Sequence, residues 1–367
     1  MIHKIIVSDR DFNVLEDLTA EASNISWGYN RNGGCGSFSF SLPTRFCEET
    51  SLGGNFNIKI YAKNLSTKIY DLWYQGRIEN KANSVVGNKE TLSIKGSGYQ
   101  SELKDIYVDT DYSNKTIEYI VDDLLDTYVV GNTNITKGTI AATGFTADTL
   151  EFSTDVLSAL QTCADIVGSR EWGVDKNREF FFKARSSTVG IRYPLDGKVL
   201  KYNVDNSSKD IVNRVVITGG DVAGSSFTRT INNTQSQLKW SRRDRSIQNS
   251  AIVTNDVADQ FADAIFAEFD DVVRRGKVDL IDNTLIEATI PIPLLEVIAK
   301  VDTYGTKLYG TSLYSAVVPF QIQRINYKLG DDGTLTIGMQ IGQLRPSIAE
   351  SLNQLSYQID QVRQQGV

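Results

Sequence analysis

The one histidine of this chain, His3, sets a first limit on the chemistry that the protein can perform. Ser-His-Asp triads, Cys-His pairs and histidine-rich metal sites all require an imidazole beside its partner groups. His3 lies at the N-terminus on a predicted strand, so these arrangements are close to excluded. The three cysteines, Cys35, Cys47 and Cys163, have no CxxC spacing, which predicts neither a disulfide framework nor a zinc site. We expect no catalytic residue of these types, no metal and no cofactor.

Pairs of adjacent aspartates are the other candidates for catalysis, because a glycosidase uses two carboxylates as acid and as base or nucleophile. The sequence contains three such pairs worth considering: Asp122 and Asp123, Asp270 and Asp271, and Asp331 and Asp332. The first two pairs fall on exposed faces of predicted helices, and the third falls in a predicted hairpin turn, where aspartate is common. These positions favour a protein that is not an enzyme.

Glycine and arginine clusters also have a structural explanation. Neither Gly33-Gly34-Cys35-Gly36 nor Gly219-Gly220 is followed by a helix with Lys-Ser or Lys-Thr, so both predict bulges or turns rather than a phosphate loop. The cluster from Arg242 to Arg245 contains an aspartate and is typical of a solvated surface. The chain has 38 Lys and Arg against 45 Asp and Glu, a formal charge of −7. This balance predicts no specific nucleic-acid binding.

The elements around these residues are mostly strands, and one hairpin pattern occurs twice. The first copy runs from Gln75-Gly76-Arg77-Ile78 through a polar turn into Thr91-Leu92-Ser93-Ile94. The second copy runs from Gln323-Arg324-Ile325 through a turn rich in glycine and aspartate into Thr334-Leu335-Thr336-Ile337. Both alternate polar and apolar residues with a period of two, as half-buried strands do. We interpret them as two copies of one β module; the alternative is that any two hairpins of a β-rich chain look alike.

The order of strand and helix signals predicts an α+β, mainly β protein with antiparallel barrels or sandwiches. At 367 residues the chain is long enough for two or three domains. The predicted units are a first β-barrel at 1–100, a small α/β domain at 101–194, a second β-barrel at 195–345 and a C-terminal helix at 346–367. Within the second barrel we expect a packed helix at 254–275 and a possible peripheral insertion at 221–253.

Helical spacing marks the small α/β domain and the helix of the second barrel. One helix is expected behind a Ser113 or Asn114 cap, and another from Ser153 or Thr154 onward. The helix of the second barrel is expected to end with Arg274-Arg275-Gly276, because basic residues and glycine are common at helix C-termini.

Apolar residues recur after Pro346 at alternating spacings of four and three, which is a heptad seam. Its members are Ile348, Leu352, Leu355, Ile359 and Val362. We expect this helix to join subunits or to bind a partner protein. The alternative is a lone helix that packs on its own barrel, because about two and a half heptads are short for an independent coiled coil.

Targeting signals are weak in this sequence. The N-terminal residues 1–7 form a short apolar strand that meets a charged cluster, without the long apolar core and cleavage site of a signal peptide. Apolar runs stay below the roughly 18 residues that a membrane-spanning helix needs. We therefore expect a protein that is made in the cytoplasm and does not span a membrane.

The order of these segments resembles the hub proteins of phage tails, namely the baseplate hub of contractile tails and the tail-tip hub of non-contractile ones. The resemblance covers nearly the whole chain and depends on order rather than on a catalytic motif. The segments that carry it are residues 36–43, 53–61 leading to 74–78, 172–175 with 180–182, 212–220, the alanine-rich helix, 323–341, Pro346 and the terminal heptads.

The resemblance implies a structural virion protein of a tail tip or baseplate, made in the host bacterial cytoplasm. In that family, two tail-tube-like barrels occur in each subunit, and a homotrimer matches the six-fold tube to a three-fold spike or fibre around the DNA channel. Its partners would be the tail tube or distal tail protein, and a spike, fibre or tape-measure protein. The alternative is a carbohydrate-binding or carbohydrate-cleaving receptor-recognition component of the tail, whose mark would be outward aromatic residues around a carboxylate pair.

Overall fold

The structure is a computed structural model, and it describes most of the chain. The described residues are 3–43, 46, 52, 54–63, 68–86, 89–144, 146–167, 170–184, 189–194, 199–209, 211–222, 225–248, 255–271, 273–281, 294–298, 320–330 and 334–342. The predicted C-terminal helix at 346–367 lies outside these residues, so its seam of Ile348, Leu352, Leu355, Ile359 and Val362 remains a prediction.

Twenty-one strands and four α-helices make up the described part of the chain. The strands of the first half are β1 His3–Ser8, β2 Val14–Asp17, β3 Ser23–Asn30, β4 Asn32–Pro43, β5 Asn57–Lys63, β6 Tyr70–Val86, β7 Lys89–Ser97, β8 Tyr107–Thr116, β9 Thr136–Ile140, β10 Thr146–Asp155, β11 Arg170–Val174 and β12 Glu179–Ala184. The later strands are β13 Val189–Pro194, β14 Val199–Ser207, β15 Arg214–Val222, β16 Ser225–Asn232, β17 Asp244–Gln248, β18 Val273–Ile281, β19 Leu294–Ile298, β20 Phe320–Leu329 and β21 Leu335–Gly342. The helices are α1 Ile117–Leu124, α2 Val156–Val167, α3 Thr234–Trp240 and α4 Asn255–Phe269.

The main sheet joins strands from both ends of the chain, and the α+β, mainly β class is confirmed. Its strand order is β14-β18-β21-β20-β3-β4-β7-β6-β5-β1-β2. Most pairs are antiparallel, as predicted. Four pairs are parallel, which the sequence pattern did not predict: β11 with β4, β12 with β9, β13 with β19 and β15 with β17. Among the described strands, the path is open, with β2 at one end and β14 at the other.

Aromatic residues bring distant strands of the main sheet together. The Trp27 ring on β3 stacks on Tyr327 of β20, with ring centroids 5.2 Å apart. Trp73 lies on β6, four strands from β20 in the sheet order, yet its ring centroid is 5.3 Å from that of Tyr327. A flat sheet would hold these side chains about 19 Å apart, because neighbouring strands lie about 4.8 Å apart. The sheet therefore curls around one core, in which Trp27 and Trp73 are both buried.

Both predicted hairpins form, and both belong to this sheet. β6 pairs with β7 from Arg77 opposite Ser97 to Val86 opposite Lys89. β20 pairs with β21, and β20 also pairs with β3. The two hairpins thus flank the β3–β4 pair, one on each side. The division into two barrels with boundaries at 100, 194 and 345 remains a prediction.

The small α/β unit packs α1 and α2 against strands β8 to β12, and both predicted helices are confirmed in type. β11 and β12 form an antiparallel hairpin. α1 begins later than predicted, because residues 113–116 extend β8 opposite β10, and the cap is Thr116 instead of Ser113 or Asn114. α2 begins at Val156, where the Asp155 carboxylate accepts the backbone N–H of Ser158 at 2.9 Å. The core of this unit contains Trp172.

A third core forms between α4 and the three-stranded sheet β16-β15-β17. Ile247 of β17 is buried there in one core with Ile265 and Phe269 of α4, and the peripheral insertion at 221–253 remains a prediction. The predicted C-terminus of the helix is wrong: α4 ends at Phe269, and Arg274-Arg275-Gly276 lie in β18 opposite β14. The following Val278 and Leu280 are both buried, which is the period of a strand.

Candidate functional site

The residues considered for catalysis lie on separate elements: His3 on β1, Asp122 and Asp123 on α1, and Asp270 and Asp271 just after α4. His3 is half-buried, and burial lowers the pKa of its imidazole. Asp122 pairs with Lys137 at 2.9 Å, whereas Asp123 accepts the Tyr112 hydroxyl at 2.8 Å. Asp271 pairs with Lys239 at 2.7 Å. Each of these aspartates has a structural role, and Asp331 and Asp332 lie outside the described residues.

The other candidate motifs also have structural roles. Arg242 and Arg214 both pair with the exposed Asp244, and these hydrogen bonds lower the pKa of that carboxyl to about 2. Gly219 and Gly220 lie at a register shift of β15, which is the predicted bulge. Within the described ranges, no group of three or more His, Cys, Asp and Glu side chains is arranged to hold a metal ion. Of the helices in the described part of the chain, none is long and apolar enough to cross a membrane.

Glycines form the junction between the main sheet and the α/β unit. Gly33 and Gly34 have φ of 112° and 77°, and they pair in parallel with Gly173 and Val174 of β11. A Cβ atom at Gly34 would lie 2.1 Å from the carbonyl oxygen of Val174, and one at Gly173 would lie 2.1 Å from the carbonyl carbon of Gly33. Gly173 also has a φ of 151°. Only glycine permits both the backbone conformation and the close approach.

A buried ion pair spans the same junction. Arg31 follows β3, and its guanidinium pairs with the Glu171 carboxylate of β11. The side chains are only 2% and 1% exposed. Arg31 Nε donates to the carbonyl of Ile322 at 2.7 Å, and its backbone N–H donates to the carbonyl of Gln323 at 2.9 Å. One residue therefore joins the first sheet strands, the α/β unit and the second hairpin.

A second contact between the two units holds the β1–β2 loop. Phe12 has a left-handed φ of 65°, and its ring lies under the Arg178 guanidinium, whose carbon is 4.0 Å from the ring centroid. The Asp9 carboxylate accepts backbone N–H groups of Asp11 and Asn13 at 2.9 and 2.8 Å. The loop is therefore fixed at both ends, and it leads directly into β2.

Two edges of the sheet project from this framework. β2 pairs only with β1 among the described strands, and its Val14 and Leu15 are 69% and 46% exposed. β6 pairs with β5 only up to Arg77, so its residues 79–86 pair with β7 alone. Val85 on this arm is 68% exposed. Unpaired edges with exposed apolar residues are suited to contacts with another chain.

A shallow groove lies beside this arm, lined in part by Ser26, Ser39, Glu79, Asn80 and Lys95. It holds one carboxylate and no exposed aromatic residue, and it therefore lacks the mark of the carbohydrate-binding alternative. The Arg31–Glu171 pair and the Phe12–Arg178 contact were not predicted from the sequence. Residues that far apart leave no periodic signal.

Comparison with known proteins gave no match to a protein-family model and none to a curated protein. Solved structures do match. The 43 kDa tail protein of prophage MuSo2 from Shewanella oneidensis is 12% identical with a TM-score of 0.63, and the match covers 92% of this chain and 98% of that chain. Prophage tail protein gp18 from Listeria monocytogenes EGD-e is 13% identical with a TM-score of 0.58, and the match covers 96% of this chain and 98% of that chain.

A chain of the Francisella PdpA–VgrG complex is also similar, at 11% identity and a TM-score of 0.58. That match covers 93% of this chain but 58% of the other. Two of these three matches cover nearly the whole length of both chains. The chain therefore has the fold of these phage tail proteins.

Proposed function

We propose that this protein is the trimeric hub of a phage tail tip or baseplate. In this role it adapts the six-fold tail tube to a three-fold spike or fibre and forms part of the DNA channel. The observation that carries the proposal is the shared fold with phage tail proteins over nearly the whole chain. The role is structural and non-enzymatic, and the protein is a component of the virion.

The exposed edges support assembly into a ring. β2 and the β6–β7 arm leave backbone groups without a strand partner in the described part of one chain. A closed ring of subunits covers such edges and prevents uncontrolled association. The fixed β1–β2 loop supports the same reading, because a rigid edge loses little conformational entropy on docking.

The partners follow from the two ends of such an adapter. A tail-tube or distal tail protein contacts one face, and a spike, fibre or tape-measure protein contacts the other. Likeness to a chain of a VgrG complex supports a spike-type partner. The heptad helix at 346–367, with Ile348, Leu352, Leu355, Ile359 and Val362, is proposed to join the subunits or the distal partner.

The experiment is the solution mass of the purified chain by light scattering, with and without residues 346–367. A mass near three times 40.7 kDa is expected. Loss of the trimer on truncation assigns the heptads to assembly, whereas an unchanged trimer assigns assembly to the folded units. A single-chain mass at all concentrations, together with no binding to an isolated tail-tube protein, overturns the hub.

A further inference from the structure

Charge is divided unevenly between the units of this chain. Residues 99–167, which contain most of the α/β unit, have 12 Asp and Glu against 3 Lys and Arg. The rest of the chain has 33 Asp and Glu against 35 Lys and Arg. The formal charge of −7 therefore belongs to one unit, and the remainder is slightly basic.

Cations of the main sheet collect on its outer face. Partner residues across antiparallel strands lie on the same face of a sheet. One row of partners runs from Lys328 on β20 through Ser26 and Ser39 to Lys95 on β7. The two lysines are both exposed and lie about 14 Å apart, the width of three strand spacings.

A second row extends this face. Arg324 on β20 lies opposite Gln340 on β21, which lies opposite the exposed Lys277 on β18. We call these four residues, Lys95, Lys277, Arg324 and Lys328, the cationic face. In the described part of the chain none of the four has a carboxylate within ion-pair distance. Ser26 and Ser39 separate Lys328 from Lys95, and Asp279 on β18 and Asn326 on β20 lie on the same face between the two rows. With four cations and one carboxylate in these rows, the face keeps a positive charge and is open to a large partner.

The acidic unit presents a matching surface on β8, the strand that forms a two-stranded ribbon with β10. Tyr107, Asp109 and Asp111 alternate along β8, so they share one side of the ribbon. All three are exposed, and Tyr107 is 63% exposed. The two aspartates have no ion-pair partner among the described residues. We call these three residues the acidic ribbon.

We propose that the cationic face of one copy of this chain binds the acidic ribbon of a second copy. This inference deepens the proposed homotrimer, because it names the surfaces that join its subunits. Two different surfaces of one chain form a head-to-tail contact, and a head-to-tail contact closes into a ring when the rotation fits. Tyr107 supplies the amphipathic aromatic contact that is common at the centre of interfaces.

Charge complementarity selects a second copy over a nucleic acid. The acidic ribbon lies on the same chain as the cationic face and repels phosphate groups. Unpaired charges of opposite sign on one chain steer two copies into a single orientation, whereas like surfaces repel each other. Both sets of charges are used in this contact, but contact with DNA would use only one.

The test is a charge exchange measured by sedimentation and light scattering. Two double variants are each expected to weaken self-association at least about ten-fold. One is Lys95→Glu with Lys328→Glu on the cationic face, and the other is Asp109→Lys with Asp111→Lys on the acidic ribbon. The chain with all four substitutions is expected to recover most of the association. Raising the salt from about 0.05 M to about 1 M, where the screening length falls to about 3 Å, is expected to weaken the natural pairing.

The matched control is Lys68→Glu with Lys104→Glu. Both lysines are exposed and lie outside the cationic face, and the two substitutions change the net charge as much as Lys95→Glu with Lys328→Glu does. Circular dichroism of every variant checks the fold. Self-association that is unchanged in both charge-reversed variants, or that the fourfold variant does not recover, overturns the inference. A chain that never self-associates also overturns it.

The outcomes of these experiments distinguish this inference from the proposed hub. A stable trimer that ignores the charge variants leaves the hub in place and removes the inference. Charge-dependent association with a stoichiometry other than three supports the inference and contradicts the hub. Binding of duplex DNA is measured by fluorescence anisotropy. If Lys95→Glu with Lys328→Glu abolishes DNA binding but self-association persists, the cationic face binds nucleic acid instead.

Discussion

The two hairpins of the main sheet have similar sequences but different surroundings. Their isoleucines occupy equivalent positions: Ile78 and Ile325 on the first strands are 0% and 1% exposed. The first hairpin has a 17-residue strand whose arm projects past β5, whereas the first strand of the second hairpin has 10 residues. A repeated pattern therefore determines which side chains enter the core, while the ends of the strands determine what remains available to a partner.

The attachments of the hairpins differ as well. The second hairpin is held through Arg31, which pairs with Glu171 and donates to the carbonyl groups of Ile322 and Gln323. The buried attachment of the first is made by neutral groups: the Tyr99 hydroxyl donates to Asn57 Oδ1 at 2.6 Å and accepts from Gln75 Nε2 at 3.4 Å. One attachment depends on a buried charge, and the other does not.

The largest effect is expected from Glu171→Ala. This change leaves the guanidinium of Arg31 buried without its carboxylate, and we expect a loss of about 4 kcal/mol in the free energy of unfolding. Tyr99→Phe, at the other attachment, is expected to cost about 1 kcal/mol. Urea unfolding monitored by tryptophan fluorescence compares the two. Glu179→Ala, on the exposed face of β12, is the control, and similar losses for Glu171 and Glu179 would contradict the role of the ion pair.

A glycine in the second strand of each hairpin gives the next contrast. A Cβ atom at Gly96 would lie 1.9 Å from the carbonyl oxygen of Arg77, whereas one at Gly338 would lie 3.3 Å from the Asp279 carboxylate. Gly96→Ala must therefore shift the backbone, at a cost of about 3 kcal/mol. Gly338→Ala is expected to change stability by less than about 1 kcal/mol. Thermal unfolding of both variants measures the difference, and equal losses would show that the hairpins pack alike here.

The isoleucines should behave alike. Ile78→Val and Ile325→Val each remove one buried methyl group from the same core, so each is expected to cost about 1 kcal/mol. Urea midpoints at an unchanged slope report the two values. If one substitution is costly and the other neutral, the two hairpins do not occupy equivalent positions in the core.

The smallest effect is expected at the arginines. Arg77 pairs with the exposed Asp105 at 2.9 Å, and such surface pairs contribute little, so Arg77→Ala should cost less than about 1 kcal/mol. Arg324, which donates to Asn326 at 3.1 Å, should be similar in stability but should alter self-association. Paired unfolding and sedimentation measurements of Arg77→Ala and Arg324→Ala separate these outcomes; a large stability loss in Arg324→Ala would indicate a structural role instead.

Local alternation predicted much of this fold. The alternation of polar and apolar residues identified the β6–β7 and β20–β21 hairpins, and helical spacing identified α1 and α2. The error at Arg274-Arg275-Gly276 arose because helix-end residues also suit a strand once a neighbouring strand pairs with them. Helix propensity depends only on the segment itself, whereas the strand conformation of residues 274–276 depends on their backbone pairing with β14.

The junction was beyond the reach of such patterns. Gly33 and Gly34 were predicted to form a turn or bulge, and their φ values agree, but nothing local indicated Gly173 as their partner. Arg31 and Glu171 are separated by 140 positions. Their pairing follows from the parallel pairing of β11 with β4, and a single sequence carries no signal for that distance.

The glycine junction has a consequence for how this protein can change over time. Where β4 meets β11, main chain touches main chain at Gly33, Gly34 and Gly173, and the Arg31–Glu171 pair and the Phe12–Arg178 contact join the same two units. Substitutions on surfaces away from these contacts can accumulate without changing the junction. The junction glycines therefore tolerate almost no substitution, whereas the surfaces of both units can change and adapt to new partners.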